Sequence, residues 1–304
     1  MKNDILYHTF LGLLRLAARL PLRCLYAISD LTYFAACHII RYRRDVILGN
    51  LRHAFPEWDR QKREKTMKEF YRHLCDCIVE TVKLLHMSDR EIDRRIEVCG
   101  GDLVERTAAD GHPIILYLGH YGNWEWAQAI TRHYTRPAVS GQIYRPLHNA
   151  VAERLMQKIR SRFGSTSIPQ KQAFRTLLRM RRDGQQSIIG FLADQRPNSG
   201  NLHHWTTFLN QDTAYAAGGE EIGRRTEARY LYLEVEKTGR GHYRMTFRPI
   251  LPLQDGEPYP YTRGYMHMLE ETIRHAPAYW LWSHKRWRFG HPVTLDGNNN
   301  PKEP

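Results

Sequence analysis

From Ile5 to Ile40 the chain is mostly apolar, but Arg15, Arg19 and Arg23 recur at every fourth position, Pro21 interrupts, and Asp30 sits in the second half. Residues four apart share one helix face, so this spacing predicts a cationic stripe along an otherwise apolar helix. Such a helix suits the plane of a membrane interface, with its arginines reaching lipid phosphates. No uninterrupted apolar run approaches the roughly 20 residues of a spanning helix. A short tilted span and a helical hairpin packed on the domain are the alternatives. Arg41, Arg43 and Arg44 follow directly, as expected on the cytoplasmic side of an anchor. A secretory signal fits poorly, because arginines break the apolar region and no small-residue cleavage site ends it.

A long helical region comes next. Asp59 reads as its N-cap after Pro56, and Phe70, Leu74, Cys77, Ile78, Thr81, Val82 and Leu85 keep helical spacing. A shorter helix starts at Ser88. Beyond Gly100-Gly101 the pattern changes to apolar runs of strand length alternating with amphipathic helices. The strands predicted are Ile114–Leu118, Ala138–Tyr144, Ser187–Leu192, Tyr230–Lys237 and His242–Pro249. Helices are predicted at Trp124–Tyr134, Asn149–Phe163, Gln172–Arg182, Ala214–Thr226 and Tyr261–His275. This alternation predicts an α/β fold with a mainly parallel sheet flanked by helices. The last two strands, joined through Thr238–Gly241, read as an antiparallel hairpin. The expected organisation is a membrane-associated helical segment over 1–44, one α/β domain over 45–292 with a leading helical region, and a flexible tail over 293–304.

Composition narrows the partners. In 304 residues, 45 Lys and Arg against 32 Asp and Glu leave a net charge of +13, which favours an anionic partner. Nucleic acid is one such partner, but no zinc-finger spacing, RNP-like run or convincing helix-turn-helix is present, and the apolar N-terminus suits membranes better. Cys24, Cys37, Cys75, Cys77 and Cys99 form an odd, scattered set with neither a disulfide framework nor zinc-ligand spacing, as expected of reduced thiols.

The sharpest chemical feature is IILYLGHYGNWEW. An apolar strand ends at Gly119, and His120 follows where open α/β sheets gather their ligands. Asn123 reads as the N-cap of the next helix, is counted among the substrate-binding candidates, and places Glu125 in the first turn. A histidine with a carboxylate makes a general base near neutral pH, because the carboxylate fixes the tautomer and stabilises the imidazolium. No serine or cysteine stands at the strand-to-helix elbow, so the substrate's own hydroxyl is the expected nucleophile, with His120 as base and Glu125 as its orienting partner.

The spacing alone is weak. His86/Glu91, His148/Glu153 and His291/Asp296 share it, and only His120 directly ends a buried strand. No further ligand lies nearby in sequence, so no metal is expected. Arg145, at a strand end, suits a lipid phosphate or a developing oxyanion. Asp194, after SIIGFLA, is read as ordering Arg145, binding a sugar hydroxyl or capping a turn. Trp280, Trp282 and Trp287 with Lys285, Arg286 and Arg288 mix aromatics and cations as at a bilayer interface, or else pack in the core.

The blocks LRHAFPE, HYGNWE, YRP, FLADQRP and WLWSHKRW, in that order over residues 5–290, resemble the bacterial late (lauroyl/myristoyl) acyltransferases of lipid A biosynthesis. The resemblance implies a glycerolipid-acyltransferase-like fold at the cytoplasmic face of the inner membrane. It implies an acyl carrier protein thioester as donor, the hydroxyl of an anionic glycolipid as acceptor, and no metal or other cofactor. The family's dyad falls on His120 and Glu125, and its following blocks fall on Tyr144, Arg145 and Pro146 and on Asp194 and Gln195. Acylation of another glycolipid, a phosphoinositide mannoside or an aminolipid is the alternative, as is a lipid hydrolase or thioesterase using His120 to activate water.

Overall fold

The computed structural model describes residues 2–135, 139–198 and 202–288. Nine strands form in this region: β1 (Ile96–Cys99), β2 (Ile114–Leu118), β3 (Val139–Tyr144), β4 (Thr166–Pro169), β5 (Ser187–Leu192), β6 (Trp205–Phe208), β7 (Gln211–Ala214), β8 (Arg229–Gly239) and β9 (His242–Pro249). Seven make one sheet in the order β1-β9-β8-β2-β5-β3-β4, and β6-β7 form a separate antiparallel pair. The pairs β8-β2, β2-β5, β5-β3 and β3-β4 are parallel, which bears out the mainly parallel sheet. β9 runs antiparallel to β8, as the hairpin reading expects. The whole of β2, IILYL, is buried, as a continuous apolar run must be when helices cover both faces. The hairpin turns at Gly241, whose φ of +70° and contact with the Tyr26 hydroxyl leave no room for a side chain.

The helices divide between the two faces. From β3, α7 (Ala150–Arg160) steps outward to the edge strand β4, whereas α8 (Ala173–Arg182) and α9 (Gly218–Thr226) step back across the sheet to β5 and β8. Right-handed crossovers running in opposite directions lie on opposite faces. α10 (Pro260–His275) packs with α9 and β8. On the α7 side lie α1 (Lys2–Arg19), α2 (Leu22–Phe34) and α4 (Arg60–Lys83): α1 packs on α4 and α7, and α2 packs on α4.

The N-terminal helices are both packed and exposed. Leu11, Ala18, Leu22 and Leu25 are buried against the domain, while Ile5, Leu13, Leu16, Leu31, Ile39 and Ile40 remain 60% to 73% exposed. Arg15, Arg19 and Arg23 all face solvent. They do not form one stripe, because α1 ends at Arg19 and Pro21 starts a new helix that carries Arg23. Among the described residues no helix is long and apolar enough to cross a membrane.

Asp59 caps α4 as expected, accepting from the Lys62 amide at 2.7 Å. The face α4 buries differs from the apolar spacing: Ile78 is 54% exposed, while His73, Asp76, Glu80 and Lys83 are buried. Lys83 Nζ donates to the carbonyls of Ala18 and Leu20, both at 3.0 Å, closing the end of α1. Asp76 accepts from Ser29 Oγ at 2.8 Å and pairs with Lys237 and Arg240. These polar groups weld the N-terminal helices to the β8-β9 hairpin.

Other departures are local. The segment predicted as a helix over Trp124–Tyr134 is a 3₁₀ turn at Trp126–Arg132, and Ala214 closes β7 so that α9 starts only at Gly218. β1, β4, the β6-β7 pair and α6 (Gly101–Ala108) escape the sequence pattern, the strands because four residues are too few to show a period. Ala138 and the tail expected over 293–304 lie outside the described residues.

Removing the Asp76 carboxylate leaves Lys237 and Arg240 without their shared buried partner. Asp76→Ala is therefore expected to cost about 3–5 kcal/mol. Asp30→Ala, which removes the half-exposed partner of the same Arg240, should cost at most about 1 kcal/mol. Denaturant unfolding of both variants in one detergent checks the ratio, and equal losses would count against a buried network.

Candidate active site

The site follows from strand register. β2 and β5 are parallel with Leu118 opposite Leu192, so the second residue beyond each, His120 and Asp194, emerges side by side at the carboxyl end of the sheet. A side chain at Gly119 would strike Leu269 of α10, so the glycine lets the chain pass close over that helix. Asp194 Oδ1 lies 2.7 Å from His120 Nδ1, and Oδ2 accepts from the His120 amide at 3.0 Å and the Trp280 indole at 2.9 Å. Asp194 is buried. Burial alone would raise its carboxyl, but His120 and the Trp280 indole hold it below the usual carboxylate range. An ionised acid on Nδ1 fixes the proton there and leaves Nε2 as the basic nitrogen.

This corrects the expected pairing. The carboxylate on the imidazole is Asp194, and Glu125 turns to Arg160 at the end of α7 in a bidentate pair of 2.6 Å and 3.0 Å. Asp194 is likewise occupied with His120, not with Arg145, which reaches Asn198 Oδ1 at 3.4 Å. Asn123 is buried, with Nδ2 donating to Glu80 at 2.7 Å and Oδ1 accepting from the Trp126 amide at 3.3 Å. It thus braces the first residue of the 3₁₀ turn, although the cap position itself falls on Glu125 rather than on Asn123 as expected, and it does not line the cavity.

The loop carrying His120 is strapped on two sides. Leu281 N donates to the His120 carbonyl at 3.1 Å and Gly122 N to the Tyr279 carbonyl at 3.0 Å. From α4, His73 Nε2 donates to the Gly122 carbonyl at 3.2 Å, while its Nδ1 faces Lys237 Nζ at 3.3 Å. Burial and then Lys237 push His73 down to about 3, so it is neutral and can accept from the lysine. Glu80, completely buried, also accepts from the hydroxyls of Tyr26 and Tyr243, each at 2.8 Å. Burial pushes the Cys77 thiol well above its usual range, which removes it as a nucleophile.

His120, Glu125, Arg145, Arg160 and Gln195 line a cavity of about 600 Å³. Its apolar lining comes from residues such as Leu116, Leu118, Ile143, Ile188, Phe191 and Ile222. Sequence reasoning missed Arg160 and the Asp194–His120 contact. The only sequence signal for the latter is that two adjacent strands end at equivalent positions, GH and AD. The C-terminal aromatic segment resolves toward core packing: Trp280 and Trp282 are buried, and Arg286 is buried with Nη2 donating to the Ala214 carbonyl at 2.6 Å.

A buried Asp–His pair at the ends of adjacent parallel strands, opening on a cavity with cationic and apolar walls, has the chemistry that a general base beside an apolar ligand requires. The model of the bacterial lipid A biosynthesis acyltransferases matches residues 3–289, and the chain belongs to that family. It is an acyltransferase. Its relatives include a lipid A biosynthesis acyltransferase of Haemophilus influenzae, 22% identical over 81% of this chain and 76% of the relative. Two from Escherichia coli are similar over more of the length. The lipid A biosynthesis palmitoleoyltransferase is 23% identical over 91% of this chain and 89% of its own, and the lauroyltransferase is 22% identical over 91% and 90%.

His73 gives a pH signature with a definite sign. Unfolded, it takes a proton as pH falls below about 6.5; folded, it stays neutral to about 3. Its contribution is therefore present above about pH 6.5 and is lost as pH falls. Between pH 7 and 5 the loss should be roughly 2 kcal/mol. His73→Gln, which keeps both hydrogen bonds, should remove that part of the acid sensitivity in denaturant titrations. An unchanged slope would mean that His73 is charged in the folded protein.

Proposed function

We propose that the chain transfers a fatty acyl group from the thioester of acyl carrier protein to a hydroxyl of a lipid A precursor, at the cytoplasmic face of the inner membrane. The observation that carries the chemistry is the 2.7 Å contact of His120 Nδ1 with buried Asp194 beside a cavity with a large apolar lining. Similarity to the lipid A palmitoleoyl- and lauroyltransferases supports the acceptor.

In this reading His120 Nε2 takes the proton of the acceptor hydroxyl as its oxygen attacks the thioester carbonyl. The carbon–sulfur bond then breaks, and the departing thiolate recovers that proton from the imidazolium. Asp194 supports the imidazolium while it exists. Glu125 holds Arg160 on the cavity wall, where the guanidinium and that of Arg145 favour the developing oxyanion or an acceptor phosphate. Gln195 adds a neutral polar contact. The outward apolar face of α1 and α2 rests in the headgroup region, with Arg15, Arg19 and Arg23 at lipid phosphates. Residues 1–44 then act as the membrane-associated segment of an otherwise aqueous domain.

His120→Ala should fold and lose about 10²–10⁴-fold in turnover. Asp194→Asn should also lower kcat and change its pH dependence, because the Nδ1 proton is no longer fixed. Glu125→Gln should lower activity without changing that pH dependence, since its partner is Arg160. Acyl transfer is followed with radiolabelled acyl donor and purified acceptor. Wild-type turnover in folded His120→Ala, or release of the same free fatty acid with and without acceptor, would overturn the reading.

A further inference from the structure

On the face of the sheet opposite α1 and α2, α8 presents a side that neither the site nor the N-terminal helices use. It buries Ala173 and Leu177. Outward, Phe174 and Leu178 stand one turn apart, 40% and 41% exposed, with Arg175, Arg179 and Arg182 beside them and Lys171 just ahead. The Arg225 guanidinium of α9 lies 5.8 Å from the Phe174 ring centre and extends the row.

A row of charges is ordinarily a solvated face, but several surface arginines elsewhere in this chain are paired. Arg132 binds Asp89 and Asp93, Arg162 binds Asp89, Arg229 binds Asp110, and Arg244 binds Glu97 and Glu236. On α8, Arg182 meets only its neighbour Asp183, and Lys171, Arg175, Arg179 and Arg225 make no ion pair among the described residues. Unpaired cations around two exposed apolar side chains are the complement of an acidic amphipathic helix. The row also begins at the site, because Gln170 and Ala173 line the cavity.

We propose that this face of α8 docks the acidic carrier protein that delivers the acyl thioester. The inference rests on the carrier-thioester reading above and adds where the carrier binds. An anionic bilayer has the same charge, but a protein resting on the apolar face of α1 and α2 holds the opposite face of its sheet toward water. The arginines steer the carrier's acidic helix, Phe174 and Leu178 meet its apolar residues, and the thioester arm reaches His120 past the start of α8.

The test uses the full-length double variant Arg175→Glu/Arg179→Glu, whose changes are exposed and should leave the melting temperature unchanged. Two donors are compared with one acceptor: dodecanoyl carrier protein and dodecanoyl-pantetheine. KM for the carrier donor should rise roughly tenfold and lose much of its salt dependence. Turnover of the pantetheine thioester and binding to phosphatidylglycerol–phosphatidylethanolamine vesicles should not change. Equal effects on both donors, or none on either, would overturn the docking assignment. A fall in vesicle binding with KM for the carrier unchanged would reassign the face to lipid. Wild-type enzyme that uses the pantetheine thioester as efficiently as the carrier would refute the donor reading, and the docking proposal with it.

Discussion

The carboxyl end of the sheet depends on a buried carboxylate that would be costly there without its donors. Asp194 accepts from the imidazole and backbone amide of His120 and from the Trp280 indole, so two stretches of chain must arrive in place. The first two arrive because β2 and β5 end in register; the third arrives because the segment after α10 folds back and is strapped to the His120 loop. Removing any one leaves an anion underpaired in a dry environment, where an unmet hydrogen bond costs about 1–3 kcal/mol or more. A second buried carboxylate, Glu80, works from the other side of the same loop. It fixes Asn123, and through it the turn that directs Glu125 toward Arg160. His120 is thus held directly by Asp194, while Glu80 supports the turn that follows it.

This arrangement also separates the surfaces a lipid acyltransferase needs. The exposed apolar residues of α1 and α2 lie on the α4 and α7 side of the sheet, and the cationic row of α8 lies on the other. The cavity at the carboxyl end of the strands takes lining residues from both sides, from Trp124, Thr131 and Arg160 as well as from Ala173, Gly218 and Ile222. In the proposed reaction a water-borne donor and a membrane-borne acceptor approach from opposite faces and meet at His120. The polar weld of Asp76, Glu80 and Lys83 keeps the N-terminal helices in fixed relation to that meeting point.

Strands and helices that carry a clear period were legible: β2, β5 and β9 fall where the apolar runs predict, and α8 and α10 start within one residue of the predicted positions. His120 was legible because a strand of five apolar residues stops just before it. Its partner was not. Asp194 lies 74 positions away, and which carboxylate meets the imidazole depends on strand order and register, which hydrophobic spacing does not encode. Glu125 misled because the five-residue spacing suggested a first-turn contact, whereas at the head of a 3₁₀ turn its side chain reaches α7. On α4 the period is present, but the buried positions include His73, Asp76 and Glu80, which a hydrophobic reading assigns to solvent.

The central claim is that Asp194 fixes the His120 proton on Nδ1 and leaves Nε2 to act as base. Nitrogen-15 NMR of imidazole-labelled protein, with His120→Gln used to assign the resonance among the 16 histidines, reads this directly. In its uncharged form the wild-type imidazole of His120 should show the proton on Nδ1, and Asp194→Asn should bring in the other tautomer while Glu125→Gln does not. An Nε2–H tautomer in the wild type, or a response to Glu125→Gln in place of Asp194→Asn, would contradict it.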